Sequence, residues 1–207
     1  MSQPSSGDPA SGDAPADAGA YDISTVDLDG DRYEVKQAAI RNKYAVRDAD
    51  GEVVLRAKQK LLKLKEEFPF VTGDGEPAFT VKAGGILDVA GTYTVTDDGT
   101  GEAVVVLDED FSVFVEHWTI RDPETGEALA SIHSKNKLLS ALRHLVGLAN
   151  LVPNKYEIRD ADGGHVGDVS GQFSLKDTYT VTIDDAGDVP KEAVVATACV
   201  LDALENE

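Results

Sequence analysis

The sequence has little of what builds redox centres, thiolate metal sites or membrane spans. Cys199 is the one cysteine among 207 residues, so the chain has no pair for an internal disulfide and no set of thiolate ligands. No apolar run reaches the roughly 18 residues that span a bilayer, and the first residues lack the basic and apolar stretches of a signal peptide. We therefore expect a soluble, cytoplasmic protein.

Basic residues are also scarce. The chain has 19 lysines and arginines against 38 aspartates and glutamates, which gives a net charge of −19. Such a charge repels phosphate backbones and argues against nucleic acid as a partner. Because salt screens the self-repulsion of an acidic chain, the composition also predicts adaptation to high salt.

The acidic residues divide the chain into a tail and a domain. Residues 1–31 hold seven aspartates and no lysine or arginine, set among Ser, Gly, Pro and Ala. Segments with little apolar surface and charge of one sign cannot offset the entropy lost on ordering. We predict a disordered acidic tail over 1–31 and one folded domain over 32–207.

A short pattern recurs five times in this domain: an aromatic residue, a second residue, then Val or Ile, followed by an Asp/Gly cluster. The copies begin at Tyr44, Tyr93, Trp118, Tyr156 and Tyr179. Apolar and polar residues alternate in each copy, which is typical of a strand with one buried face. The Asp/Gly clusters favour tight turns, so we predict a meander of antiparallel hairpins.

Two segments break the two-residue period. Leucines at steps of three and four predict an amphipathic helix over 136–152, which Pro153 ends. Residues 193–201 are small or apolar without interruption, and we predict a helix over 190–204. Because a helix that is apolar all round must be buried on every side, we expect this one inside a barrel.

Three segments together resemble the LURP-one-related family: Tyr33–Gln37, residues 44–52, and the apolar stretch 193–202. That family belongs with the tubby C-terminal domain and the phospholipid scramblases. The resemblance implies a mainly β fold, a closed antiparallel barrel around a buried hydrophobic C-terminal helix. It implies a fold more firmly than an activity, and no site residue is carried over from it.

Two basic clusters are the candidates for a lipid-binding site. The first is a run without acids, and its members are Arg56, Lys58, Lys60, Lys63 and Lys65. Lysines and arginines near an anionic membrane contribute about 1 kcal/mol each to binding. The alternative is a solvated strand face whose charges pair with neighbouring carboxylates.

The second cluster flanks and enters the predicted helix over 136–152: Lys135, Lys137 and Arg143. Basic residues beside leucines have the composition of an interfacial membrane helix. The alternative is a helix that packs on the barrel exterior or closes one mouth of the barrel, where leucines at this spacing form core contacts.

Neither a metal site nor an active site is predicted. Asp-x-Asp-Gly at 48–51 and at 160–163 lacks the third ligand of an EF-hand loop, and Arg32 stands where the aspartates of 27–31 would need a glycine. Turn chemistry explains these aspartates better. The four histidines show no metalloprotease spacing, no nucleophile elbow or phosphate loop is present, and Cys199 lies in the most apolar segment.

The leading functional hypothesis is therefore a non-enzymatic tubby-like barrel, without a cofactor, that binds a lipid or an amphiphile at the periphery of a membrane. A soluble scaffold or regulator that binds another protein is the alternative. A third hypothesis is a lipid-scrambling activity. The surface position of the two basic clusters separates the first hypothesis from a solvated surface, because placement on the same face favours lipid and placement on opposite faces favours a solvated surface.

Overall fold

The computed structural model of the protein describes residues 21–38, 43–58, 60–62, 65–84, 91–112, 115–135, 155–172 and 178–205. Thirteen strands and one helix lie in these ranges. They are β1 (Arg32–Gln37), β2 (Lys43–Arg47), β3 (Val53–Lys58), β4 (Lys60–Leu62), β5 (Lys65–Thr72), β6 (Pro77–Ala83), β7 (Thr92–Asp97), β8 (Ala103–Ser112), β9 (Val115–Arg121), β10 (Ala128–Ser134), β11 (Lys155–Asp160), β12 (His165–Gln172), β13 (Thr178–Ile183) and α1 (Lys191–Glu205).

The strands form a closed up-and-down barrel. From β5 to β13 each strand pairs antiparallel with the next, β13 pairs with β1, and β1 and β2 lead to β3. The ring closes where β3 pairs with β5. Because β4 pairs with β5 in the same register as β3, the two short strands act as one, and the described strands make a ring of twelve. The predicted closed antiparallel barrel is confirmed.

Strand alternation places the aromatic residues inside the barrel. All five copies of the repeated pattern form strands, and the leading aromatic side chain of each copy is buried. Those strands all run in the same direction, so the aromatic residues lie toward one end of the lumen. Two of them, Tyr93 and Trp118, have ring centroids 5.7 Å apart. The period of two in the sequence thus fixes which face of each strand builds the core.

The seam of the barrel depends on a close backbone approach at Gly73. Its N–H donates to the carbonyl of Val54 at 2.9 Å, and a Cβ added there would collide with the carbonyl oxygen of Val53. A side chain at this position would therefore push β3 away from the turn that follows β5. Glycine is required here for space.

Helix α1 fills the lumen. It begins after Pro190, whose carbonyl accepts hydrogen bonds from the N–H groups of Ala193 and Val194, and every side chain from Ala193 to Leu201 is buried. The one polar side chain in that stretch, Thr197, donates its hydroxyl to the carbonyl of Ala193 at 2.7 Å. Fifteen residues span about 22 Å, which is close to the height of the strands. The predicted central helix over 190–204 is confirmed, one residue later at each end.

Residues 21–31 do not follow the prediction of a disordered tail, because they pack against the barrel. Ile23 and Leu28 are buried, and the N–H of Leu28 donates to a carboxylate oxygen of Glu192 at 2.8 Å. Two apolar side chains and their hydrogen bonds thus outweigh the aspartates around them. Residues 1–20 and the predicted helix over 136–152 lie outside the described residues.

Overpacking the lumen should destabilise the protein. We expect Ala198→Leu to lower the free energy of unfolding by about 1 to 3 kcal/mol, because the wall around this fully buried alanine leaves no room for three more carbons. Thermal unfolding at fixed salt measures this. Ala161→Leu, in the exposed turn after β11, is the matched control and should change stability by less than about 0.5 kcal/mol. An Ala198→Leu protein as stable as the unaltered one would contradict the close fit.

Candidate functional site

Alternating strand direction gives the barrel two chemically different ends. At one end, here called the turn end, short turns at 48–52, 73–76, 98–102, 122–127 and 161–164 join the strands, and α1 begins. At the opposite end, here called the far end, lie the last residues of β1, β4, β6, β8, β10 and β12 and the first residues of the strands that follow them.

The lysines are concentrated at the far end. Apart from Lys191, every lysine of the described residues lies in the half of its strand nearer that end, or next to it. Six of them lie on adjacent strands from β1 to β6, and this group is here called the lysine arc. Its members are Lys36, Lys43, Lys58, Lys60, Lys65 and Lys82. The acids Glu109, Asp110 and Glu116 at the same end lie outside the arc, on β8 and β9.

Two lysines of the arc are direct cross-strand neighbours. Lys43 on β2 pairs with Lys58 on β3, and both side chains are exposed. Lys36 lies diagonally from Lys43 on β1. Like charges directly opposite each other destabilise a sheet, and the ion pairs between described residues include neither Lys43 nor Lys58. The Lys43–Lys58 pair therefore does not stabilise the sheet.

A row of cross-strand neighbours that contains a carboxylate crosses the arc at β5. Glu67 pairs with Lys60 on one side and with Lys82 on the other, so one carboxylate lies between two lysine positions. Glu66, next to it, pairs with Leu61. The arc therefore retains an excess of positive charge within a strongly acidic chain.

The structure separates the first predicted cluster. Lys58, Lys60 and Lys65 belong to the lysine arc, whereas the guanidinium of Arg56 donates to the carbonyl of Gly73, toward the turn end. Lys63 lies outside the described residues.

The second predicted cluster is described at one residue. Lys135 follows β10 at the far end, on another side of the ring, and its ammonium lies 2.6 Å from a carboxylate oxygen of Asp168. Lys137 and Arg143 lie outside the described residues. Lys135 thus lies at the same end of the barrel as Lys58, Lys60 and Lys65, although it has a carboxylate partner of its own.

Sequence reasoning did not identify Lys36, Lys43 and Lys82 as members of the site. They are far apart in the sequence, and only the hairpin register brings them beside Lys58 and Lys60. The available signal is a lysine one residue before the end of β1 and another at the start of β2, because one hairpin brings those two positions together.

The turn end has the opposite charge, and turn chemistry accounts for much of it. Side-chain oxygens of Asp48, Asp122 and Asp160 accept backbone N–H groups within their own turns. An arginine just before each aspartate, such as Arg47, donates to the carbonyl of the turn glycine. The aspartates suggested as calcium ligands are therefore turn residues, and no group of three potential metal ligands occurs among the described residues.

Hydrogen bonds to two carboxylates fasten the N-terminal segment, residues 21–31, to the turn end. Asp97 accepts the N–H of Ser24 at 2.9 Å and its hydroxyl at 3.1 Å. Burial opposes ionisation of Asp97, but these bonds and those from the following turn outweigh it and lower its pKa. The hydroxyl of Tyr21 donates to Asp122 at 2.7 Å, which raises the pKa of Tyr21 to about 12.

Glu192, in the first turn of α1, is a second buried acid of this end. Burial raises its pKa above the ordinary range, and the charges of Asp27 and Asp22 add to the effect, while the hydrogen bond from Leu28 opposes it. Lys191 beside it donates to the carbonyls of Asp29 and Gly30 at 2.9 and 3.0 Å.

Three of the four histidines, His117, His133 and His165, lie in the described ranges. The rings of His117 and His133 stack across β9 and β10 with centroids 4.3 Å apart. His165 lies between two carboxylates, 3.4 Å from Glu157 and 3.0 Å from Asp184. Cys199 is buried in α1, where a thiol is inert.

Comparison with known proteins agrees with the geometry. The sequence profile described as LURP-one-related matches residues 53–202. The fold is similar to the X-ray structure of a protein from Arabidopsis thaliana, with a TM-score of 0.54, 10% identity, and coverage of 84% of this chain and 91% of that chain. This likeness concerns the fold alone. No curated protein matches the chain.

The family resemblance predicted from the sequence is therefore confirmed. No helix in the described ranges is long and apolar enough to cross a membrane.

Removing the charge of Glu192 should stabilise the protein at neutral and basic pH. An acid whose pKa is raised on folding costs stability as the pH rises above its unfolded value, since the folded state disfavours the charged form. Glutamine keeps an oxygen that accepts the Leu28 N–H. We expect Glu192→Gln to raise the free energy of unfolding at pH 8, and the gain to vanish below about pH 4.3, the ordinary pKa of glutamate.

Denaturant unfolding across this pH range at one salt concentration checks the prediction. Glu124→Gln, in an exposed turn at the same end, is the control and should show no such trend. A loss of stability at pH 8 in Glu192→Gln would show that the charge itself holds the N-terminal segment in place.

Proposed function

This chain belongs to the LURP-one-related family, and we propose that its barrel is a non-enzymatic module that docks on an anionic lipid surface through the lysine arc. The observation that carries the proposal is the grouping of six lysines on adjacent strands at one end of a chain with a net charge of −19. In such a chain a random distribution would surround each lysine with acids.

The repulsion between Lys43 and Lys58 supports this function. Two exposed ammonium groups opposite each other repel in the free protein, and an anionic head group placed between them replaces that repulsion with two attractions. Each lysine near an anionic surface contributes about 1 kcal/mol at moderate ionic strength. The arc is thus of a size that supports reversible binding without an inserted helix.

Charge segregation also fixes an orientation. The acidic turns of the opposite end are repelled by an anionic surface, while the lysine arc is attracted to it. The two forces act in the same sense, so the barrel approaches with its far end toward the lipid. The distance between the ends, about the length of α1, exceeds the Debye length of about 8 Å at physiological salt, so the lysine arc acts independently of the acidic end.

A soluble scaffold that binds an acidic protein through the same arc is the competing function. The two functions differ in the partner that the arc recognises. A lipid surface presents many equivalent head groups in a plane, whereas the competing partner is an acidic protein. Binding to protein-free vesicles therefore separates them.

Neutralising the central lysines should weaken binding to anionic vesicles. We expect Lys43→Gln/Lys58→Gln to bind phosphatidylserine-containing vesicles about thirtyfold more weakly than the unaltered protein, from the loss of about 2 kcal/mol. Co-sedimentation with vesicles at one salt concentration measures this. Binding should also fall as salt is raised, because the interaction is screened.

The control variant removes two positive charges elsewhere. Arg32→Gln/Arg47→Gln changes residues of β1 and β2 that lie toward the turn end, and it should bind nearly as the unaltered protein does. Folding of every variant is checked by thermal unfolding. A folded protein that ignores anionic vesicles, or that binds pure phosphatidylcholine equally well, would contradict the proposal.

A further inference from the structure

A cleft at the turn end lies between the N-terminal segment and the start of α1. Its volume is about 730 Å³, within the range of small-molecule sites. Apolar side chains line both walls. Tyr21, Ile23, Val26 and Leu28 come from the N-terminal segment, and Val189 and Pro190 from the residues before the helix. This cleft is distant from the lysine arc, and the inference drawn from it does not depend on lipid docking.

The polar lining of the cleft is almost entirely anionic. Asp22, Asp27, Asp29, Asp188 and Glu192 line it. The one basic residue of the lining, Lys191, already donates to two backbone carbonyls of the N-terminal segment. The cleft therefore combines an apolar interior with an excess of negative charge.

Of the acids that line the cleft, Glu192 is the buried one. Its side chain is 7% exposed, although it carries a carboxylate, and one of its oxygens accepts the Leu28 N–H. Burying a charge without a counter-ion is costly, and the donors that the fold supplies here are neutral backbone N–H groups, those of Leu28 and of Glu192 itself. A cation in the cleft would supply the missing opposite charge.

We propose that this cleft binds a small organic cation with an apolar body, of the alkylammonium type. The apolar walls take the body of the ligand, and the carboxylates of Glu192 and Asp27 take its ammonium group. Apolar walls beside carboxylates exclude fatty acids and other anionic amphiphiles, because the carboxylates repel their charged groups.

Charge also decides against two other occupants. Residues 1–20 of this chain carry Asp8, Asp13 and Asp17 and no lysine or arginine, so their charge does not complement that of the cleft. A second copy of the chain would have to present a lysine from its arc, and such an association would depend on protein concentration.

Three ligands with the same eight-carbon chain test the proposal. Titration calorimetry of the full chain at fixed salt should show that octylammonium binds with one-to-one stoichiometry. Octanol, which lacks the charge, should bind about tenfold more weakly, and octanoate should not bind measurably, as expected for a charge-assisted contact.

Matched variants locate the site. Glu192→Gln should weaken octylammonium binding about tenfold and leave octanol binding unchanged, whereas Glu124→Gln in the exposed turn at 122–127 should alter neither. Asp27→Asn is a second variant that leaves the buried hydrogen bond to Leu28 in place. Sedimentation velocity on the same samples reports self-association.

Several results would overturn the proposal. Equal affinity for octanol and octylammonium would show that the cleft binds through its apolar walls alone and that its carboxylates add nothing. Equal losses in Glu192→Gln and Glu124→Gln would assign the binding to the general charge of this end. A dimer that sediments as such and leaves octylammonium unbound would show that a second copy is the occupant.

Discussion

The burial of α1 on all sides is the constraint on which the rest of the structure depends. A ring of twelve strands is too wide for inward side chains to fill unaided, and α1 supplies the missing core. Its small residues Ala193, Ala196 and Ala198 are fully or almost fully buried and let the wall approach the helix. Because the helix fills the lumen, the surfaces left for recognition are the outer wall and the two ends.

Strand direction then separates those ends chemically. Every turn at the turn end needs residues that bond their own backbone, and aspartates such as Asp48 and Asp122 do this. Part of the acidity of the chain therefore has a folding reason, and it is concentrated at one end. No such reason applies to Lys43 and Lys58, which repel each other at the other end. A feature that folding does not require is the better indicator of function.

We propose a separate recognition chemistry for each end of the barrel. The lysine arc, in which Lys43, Lys58 and Lys82 are exposed, suits a plane of anionic head groups, whereas the cleft beside Glu192 is a concave site that suits one small cation. Both rest on the same principle. In each, the fold holds charges of one sign close together, and the proposed ligand has the opposite sign.

The sequence predicts the elements of this fold better than their juxtaposition. The alternation around Tyr44, Tyr93, Trp118, Tyr156 and Tyr179 identifies strands because burial of one face is a local pattern. The uninterrupted apolar run of α1 likewise identifies a buried helix.

Juxtaposition depends on register, which is not local. The arc joins Lys36, Lys43 and Lys82 to lysines that are distant in sequence, and the same register turns Arg56 away toward Gly73. The packing of residues 21–31 was missed because composition counts aspartates but cannot show that Ile23 and Leu28 find a buried site.

The orientation of the barrel on a lipid surface tests the central claim most directly. Ala38 follows β1 at the far end beside Lys43, and Ala49 lies in the turn at 48–52; both are exposed. A fluorophore on Ala38→Cys or on Ala49→Cys, with Cys199 protected by burial, reports contact with vesicles that contain phosphatidylserine and a quencher-labelled lipid. The account predicts strong quenching at position 38 and little at position 49. Equal quenching at the two positions, or stronger quenching at 49, would contradict it.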